Sequence, residues 1–155
     1  MASPHSPRRP FRLPRPLGPL AGRPGAPLVA ALFLHALLCL VKRGGLLSGE
    51  QFGDVHLYAD FGRSVVDGGL TPYRDFFVEY PPGAMLAFLP PAAIAGGHYH
   101  LAFKLLTALV GAGGLVALAA ALASLGAGSA RRWAALGLAA FAPLLIGPVY
   151  LHTYD

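Results

Sequence analysis

Six of the seven carboxylates in the chain, Glu50, Asp54, Asp60, Asp67, Asp75 and Glu79, fall between residues 50 and 79; the seventh, Asp155, is the last residue. Acids gathered in one segment can take a proton, hold a cation, or simply form a solvated face. They occur in three short patterns: Asp54-Val55-His56-Leu57-Tyr58, Asp67-Gly68-Gly69-Leu70-Thr71-Pro72-Tyr73-Arg74-Asp75, and Glu79-Tyr80-Pro81-Pro82-Gly83. Asp54 stands directly before an amphipathic stretch. It is therefore either an N-cap, accepting the amides two or three residues on, or a base held in place by the helix it starts; one carboxylate can do both. Asp60, Arg63 and Asp67 read as a solvated helix face. Glu79 either orients Arg74 or a metal ion, or pairs with Lys104. His98 and His100 flank an apolar segment, as interfacial side chains or, with an acid, as metal ligands.

The elements that must position these groups are apolar. Of 155 residues, 55% are hydrophobic and only 12% charged, with mean hydropathy +0.55. A soluble domain carries about 25% charged residues, so the class is an all-α integral membrane protein. The net charge of +5 does not point to nucleic acid, because the basic residues flank apolar segments and read as orientation signals in a bilayer. The single cysteine, Cys39, lies inside an apolar run and supports neither a disulfide framework nor a metal cluster.

Residues 1–25, rich in Pro, Arg and Gly, are expected to form a disordered basic cytoplasmic tail. Residues 26–43 read as a first transmembrane helix, short but extended by snorkelling Lys42 and Arg43. Residues 44–98 form a loop on the outer face. Within it Val55, Tyr58, Phe61, Val65 and Val66 recur at helical spacing, predicting an amphipathic helix over 54–67 stopped by Gly68–Gly69. Residues 82–95 are apolar but short and interrupted by Pro90–Pro91, which predicts an interfacial or re-entrant helix. Residues 99–125 read as a second span, with Gly113, Ala117 and Ala121 as a small-residue packing stripe. A cytoplasmic loop at 126–132 carries Arg131 and Arg132. Residues 133–151 read as a third span with Trp133 and Tyr150/Tyr154 at opposite interfaces, and 152–155 begin a second outer loop. This topology puts the Arg-rich tail and Arg131–Arg132 inside, as the positive-inside rule asks, and leaves Lys42 and Arg43 outside as exceptions.

The pattern Asp-x-x-x-Tyr, a Gly-Gly turn, Pro-Tyr, and Tyr-Pro-Pro opening an apolar helix resembles the first outer loop of GT-C type glycosyltransferases. It is most similar to the polyprenol-phosphate-mannose-dependent mannosyltransferases of glycosyltransferase family 87, from about residue 26 to the end. The resemblance implies a plasma-membrane enzyme that transfers a sugar, mannose in the nearest family, from a polyprenyl-phosphate donor to a glycolipid or polysaccharide acceptor with inversion. It implies that Asp54 is the catalytic base and that Asp155 occupies the second acidic position. Tyr58, Arg74, Glu79, Tyr80 and Asp155 become candidate substrate contacts. Tyr58 is alternatively an interfacial anchor, and Arg74 is a phosphate clamp or a loop charge. The leaving phosphate wants a cation: Lys42, Arg43, Arg63, Arg74, a histidine, or a divalent metal. Members of the superfamily carry many more spans, so the chain is expected to be an N-terminal piece, inactive alone. Two other readings compete: a membrane scaffold or subunit whose acidic loop binds a partner, and a transporter fragment whose acids bind cations. A transporter places ionisable groups near the bilayer midplane, whereas these acids cluster at one surface.

Overall fold

The computed structural model describes residues 25–49, 53–146 and 150–151. Of these, 74% are helical and none lies in a strand, which establishes the all-α class. Six α-helices follow in order: α1 (Ala26–Val41), α2 (Val55–Val66), α3 (Met85–Ala95), α4 (Tyr99–Ser124), α5 (Ser129–Ala140) and α6 (Ala142–Leu145). The expected tail at residues 1–24 and the second outer loop at 152–155 lie outside the described residues, as do Glu50 and Asp155.

The amphipathic helix forms where its periodicity placed it. Val55, Tyr58, Ala59, Phe61 and Gly62 of α2 are buried, while Asp60, Arg63 and Asp67 are exposed. Val66, expected on the apolar face, is 42% exposed. Gly69, at φ 64°, ends the helix, with Gly69 N donating to Val65 O and Leu70 N to Ser64 O. The apolar segment after the Tyr-Pro-Pro motif starts with a single 3₁₀ turn, Pro82–Ala84, and continues as α3 through Pro90 and Pro91. It ends at Gly96, whose φ of 48° no β-carbon-bearing residue adopts easily. A second 3₁₀ turn, Gly96–His98, reverses the chain into α4, and the Tyr99 hydroxyl donates back to Phe88 O at 3.1 Å.

The helical stretch Pro82–Ser124 is long and apolar enough to cross a membrane. Within it α4 has 26 residues, about 39 Å against a hydrocarbon core of ~30 Å. The other two expected spans do not appear as membrane-length helices. α1 has 16 residues and ends at Val41 rather than 43. Among the described residues the segment predicted at 133–151 is not one helix: α5 begins early at Ser129 and ends at Ala140, and the four residues of α6 follow. The reason is local. Pro143 has no N–H for the Ala139 carbonyl, and Phe141 N is shared between the carbonyls of Gly137 and Leu138, which tightens the last turn.

Two clusters hold the elements together, and α4 belongs to both. Ala31, Leu115, Leu136 and Ala140 join α1, α4 and α5. Val55, Tyr58, Phe61, Val78, Phe88, Tyr99 and Phe103 join α2, α3 and the start of α4. The second cluster is aromatic: Tyr58 stacks on Phe88 with centroids 4.3 Å apart and planes 9° apart, and Phe103 stacks on Tyr99 at 6.1 Å. The helices of this lobe approach closely because position 62 is glycine. A Cβ there would lie 2.8 Å from Ala92 Cβ and 2.9 Å from the Phe88 carbonyl.

The packing stripe foreseen on α4 is displaced. Gly113, Ala117 and Ala121 are all exposed, and the helix packs through Gly111, Leu115, Leu118 and Leu122 instead. Gly111 decides the rotation: a Cβ there would collide with the Tyr150 hydroxyl and the His35 ring. Tyr150, expected at an interface, is thus drawn against α4. It turns inward onto His35, with ring centroids 5.9 Å apart and planes nearly perpendicular.

Candidate functional site

The site grows from the junction of α2 with the loop that leads into α3. Asp54 occupies the N-cap position of α2, and its carbonyl accepts from Tyr58 N at 2.9 Å, but its side chain makes no capping bond. The carboxylate instead accepts from the Tyr80 hydroxyl, with Oδ2 at 3.1 Å. The Tyr80 and Tyr58 hydroxyls lie 3.4 Å apart. Of the two roles open to Asp54, the local geometry disfavours the cap and presents an exposed carboxylate held through one oxygen.

Each partner of Asp54 is itself fixed. Tyr58 is fully buried among Phe88, Phe103 and Tyr80, so its ring is core and its hydroxyl serves Tyr80. The structure therefore gives the Tyr58 ring a packing role inside the aromatic lobe. The Tyr80 ring packs edge-on against Tyr58 at 5.3 Å and Phe88 at 5.5 Å. Its backbone carbonyl accepts from the Tyr73 hydroxyl at 2.7 Å. The hydrogen bond with Tyr58, partial burial and the neighbouring Asp54 carboxylate together push the Tyr80 phenol well above its ordinary range. Tyr80 stays a neutral donor at any physiological pH.

The Thr71–Phe76 turn is held by one acid. Asp75 Oδ2 accepts from Thr71 N at 2.8 Å, and both carboxylate oxygens accept from Arg74, from Nε and Nη2, at 2.8 Å. The Arg74 guanidinium, and after it the Thr71 amide, keep the Asp75 carboxyl below the usual carboxylate range. Tyr73 sits at φ 65°, a conformation costing about 1–3 kcal/mol in a residue with a Cβ. Its hydroxyl bond to Tyr80, its amide bond to Phe76 O, and the Pro72–Phe76 pairing retain it.

The other candidates are not gathered here. Arg74 is committed to Asp75 rather than to Glu79. Glu79 is exposed and makes no ion pair or side-chain hydrogen bond among the described residues. Lys104 does not pair with Glu79 either: it is 4% exposed and its Nζ donates to the carbonyls of Ser48 at 3.0 Å and Gly45 at 3.4 Å. Among the described residues, no three His, Cys, Asp or Glu side chains gather where they could hold a metal ion.

Two features escaped the sequence reading. His35 is buried inside α1, 3.1 Å from the Ala108 carbonyl on α4 and 3.6 Å from Cys39 Sγ. The signal was present, since a lone histidine in an apolar run seldom faces lipid. Lys42, counted as an exception to the charge rule, donates to the Pro143 carbonyl at 2.9 Å and lies over the Tyr150 ring at 5.2 Å. It ties α1 to the C-terminal turns, a contact no local pattern encodes. Compared with known proteins, the chain matches no protein-family model, no curated protein and no solved structure.

Proposed function

We propose that the chain carries the catalytic loop of a multi-spanning membrane glycosyltransferase of the GT-C type, in which Asp54 is the general base. The donor is a polyprenyl-phosphate-linked sugar and the acceptor a hydroxyl of a glycolipid or polysaccharide. The N-terminus is cytoplasmic, and residues 44–98 stand on the outer face of the plasma membrane. One observation carries the reading: Asp54 turns its carboxylate away from the helix it begins and onto Tyr80, the tyrosine of the Tyr-Pro-Pro motif. An ordinary N-cap would spend that carboxylate on the amides of α2.

The chemistry follows from the charge. The acceptor hydroxyl attacks the anomeric carbon while its proton passes to Asp54. The bond from that carbon to the phosphate oxygen breaks, and the phosphate leaves with the electron pair. A single displacement of this kind inverts the anomeric centre. A positioned carboxylate contributes on the order of 10²–10⁴ in rate to such a step. The leaving phosphate is already a weak base, so it needs a nearby cation rather than an acid.

Surrounding features support the reading. α4 is long and apolar enough to anchor the loop to a bilayer. α3 packs its buried residues, Met85, Phe88 and Pro91, toward the aromatic lobe and leaves Leu86 and Ile94 about 80% exposed, as a helix lying at an interface would. The test is transfer of radiolabelled sugar from polyprenyl-phosphate-mannose in membranes of the producing cells. Asp54→Asn is expected to abolish transfer at unchanged protein level. Full transfer by that variant would remove Asp54 from the mechanism.

A further inference from the structure

Among the described residues, Tyr73 is the one residue with a β-carbon that takes a left-handed backbone, at φ 65°. Glycine accepts that conformation freely and asparagine at small cost, so backbone geometry gives no reason for a tyrosine. Nor does burial, since the residue is 48% exposed. What tyrosine supplies there is its hydroxyl, which donates to the Tyr80 carbonyl at 2.7 Å. A strained residue persists only where its surroundings fix it, and such residues gather at functional sites.

The carbonyl that Tyr73 holds has no helical partner. Pro81 and Pro82 follow it and carry no N–H, and Ala84 N donates to Pro81 O instead. Pro81 is extended, at φ −62° and ψ 155°, and it restricts Tyr80 to an extended backbone as well. The two prolines stiffen the chain after Tyr80, and the Tyr73 hydroxyl fixes the peptide that joins Tyr80 to them. The far end of the same residue meets Asp54, where the Tyr80 hydroxyl donates to Oδ2 at 3.1 Å. Movement at the Tyr80 carbonyl therefore turns the ring between Tyr58 and Phe88 and passes to the carboxylate. The other bonds of the turn are internal to it: Thr71 N to Asp75, Tyr73 N to Phe76 O, and Asp75 N to Thr71 O. Phe76 meets Phe61 through its ring, with centroids 6.0 Å apart. The Tyr73 hydroxyl is thus the polar link from the turn to Tyr80.

We infer that Tyr73 is a positioning residue: through the Tyr80 carbonyl it sets where the Asp54 carboxylate stands. The consequence for sugar transfer rests on the function proposed above; the geometric coupling does not. Tyr73 donates to Tyr80 and not to Asp54, so its effect runs through Tyr80. Without the hydroxyl, the left-handed backbone at residue 73 loses the bond that offsets its strain, and the turn relaxes away from Tyr80.

The first measurement needs no transfer. The coupling between Tyr80→Phe and Asp54→Asn is read by unfolding of the purified chain in mixed micelles, with and without Tyr73→Phe. Tyr73→Phe is expected to cut that coupling by about half or more. The second measurement is sugar transfer in membranes of the producing cells, divided by protein level. Tyr73→Phe should lower the maximal rate about ten-fold and leave KM for polyprenyl-phosphate-mannose within about two-fold, because the chemical step is misaligned and donor capture is not. Tyr73→Gly is the discriminating variant. Glycine takes φ 65° without strain, so a residue that served only the shape of the turn would be replaced without loss. Tyr73→Gly is instead expected to lose transfer about ten-fold as well, since the hydroxyl is gone. Phe77→Ala, beside the turn and 83% exposed, should stay within about two-fold. Circular dichroism checks that each variant is folded; if Tyr73→Gly is not, the coupling measurement decides. Three results would overturn the inference: unchanged coupling in Tyr73→Phe, full transfer by folded Tyr73→Gly, or an equal loss in Phe77→Ala. If Tyr73→Phe halves the coupling while Asp54→Asn transfers normally, the positioning stands and the catalytic reading fails.

Discussion

Replacing Tyr80 with phenylalanine separates positioning from packing. The ring stays, so its edge contacts with Tyr58 at 5.3 Å, Phe88 at 5.5 Å and Phe61 at 6.5 Å are kept. Only the hydroxyl goes, and with it the 3.1 Å bond to Asp54 Oδ2 and the 3.4 Å contact with the Tyr58 hydroxyl. A hydrogen bond to a charged group is worth about 1.5–3 kcal/mol, but Asp54 is exposed and water replaces part of the loss. About 1 kcal/mol of stability should therefore disappear. Tyr80→Ala also removes the ring and should cost roughly 2–4 kcal/mol. Transfer should respond differently. A carboxylate freed from its tether spends less time aimed at the acceptor, and a misplacement of about 1 Å can cost 10²-fold. A ten- to hundred-fold drop in transfer by Tyr80→Phe is expected beside its small stability loss. The double-mutant cycle with Asp54→Asn, read by unfolding in mixed micelles, should give a coupling of about 0.5–1.5 kcal/mol. Zero coupling together with undiminished transfer would mean that the Tyr80–Asp54 contact neither forms nor matters.

Two glycines on α4, two positions apart, should behave oppositely. Gly111→Ala drives a methyl into the Tyr150 hydroxyl and His35 ring and should destabilise by about 1–3 kcal/mol, whereas Gly113→Ala meets nothing within 4 Å and should gain up to about 1 kcal/mol of helix propensity, both read as thermal midpoints in detergent. The turn around Asp75 should loosen in acid. Its carboxyl ionises below the ordinary value of 3.8, so its stabilising bonds are complete above that value and are lost as pH falls through the depressed one. In Arg74→Gln the loosening should move to higher pH, measurable from the Thr71 amide resonance. The orientation of the loop is testable by Gly68→Cys: an impermeant maleimide applied to intact cells should label residue 68, which is exposed, while Cys39, at 1% exposure, stays silent as an internal control. Labelling only after lysis would put the loop in the cytoplasm.

What could be read from the sequence was whatever depends on a residue and its near neighbours. The face of α2 follows from spacing, its stop from Gly69, and the turn at Thr71-Pro72-Tyr73 from turn chemistry. The Asp54 to Tyr80 bond spans 26 residues and was legible only as two candidates in one loop, because spacing cannot tell which hydroxyl a carboxylate will meet. The misplaced α4 stripe has the same origin. Small residues say that some face can pack closely, but Tyr150 and His35 decide which, and they arrive from 39 and 76 residues away along the chain. The expected third span is not one continuous helix, for a more local reason. Hydropathy over 133–151 averages across Pro143, whereas hydrogen bonding does not average.

The exceptional cations make sense in the same terms. The expected topology leaves Lys42 on the side where the charge rule would not put it, yet neither Lys42 nor Lys104 projects into solvent. Lys42 caps the Pro143 carbonyl under the Tyr150 ring, and Lys104 caps the Gly45 and Ser48 carbonyls. Each joins a different partner to the same end of α1: Lys42 the turn after α5, Lys104 the start of α4. The segment that leads from α1 to Asp54 is thereby held from the α4 side at Ser48, while Tyr80 holds Asp54 from the α3 side. α4 links the two restraints, since Tyr99 and Phe103 pack in the aromatic lobe within about a turn and a half of Lys104. A carboxylate on a loop is only as well placed as the loop's two ends. Here both ends are referred to one long apolar helix, so in the proposed topology the depth of α4 in the bilayer would set the height of Asp54 above it.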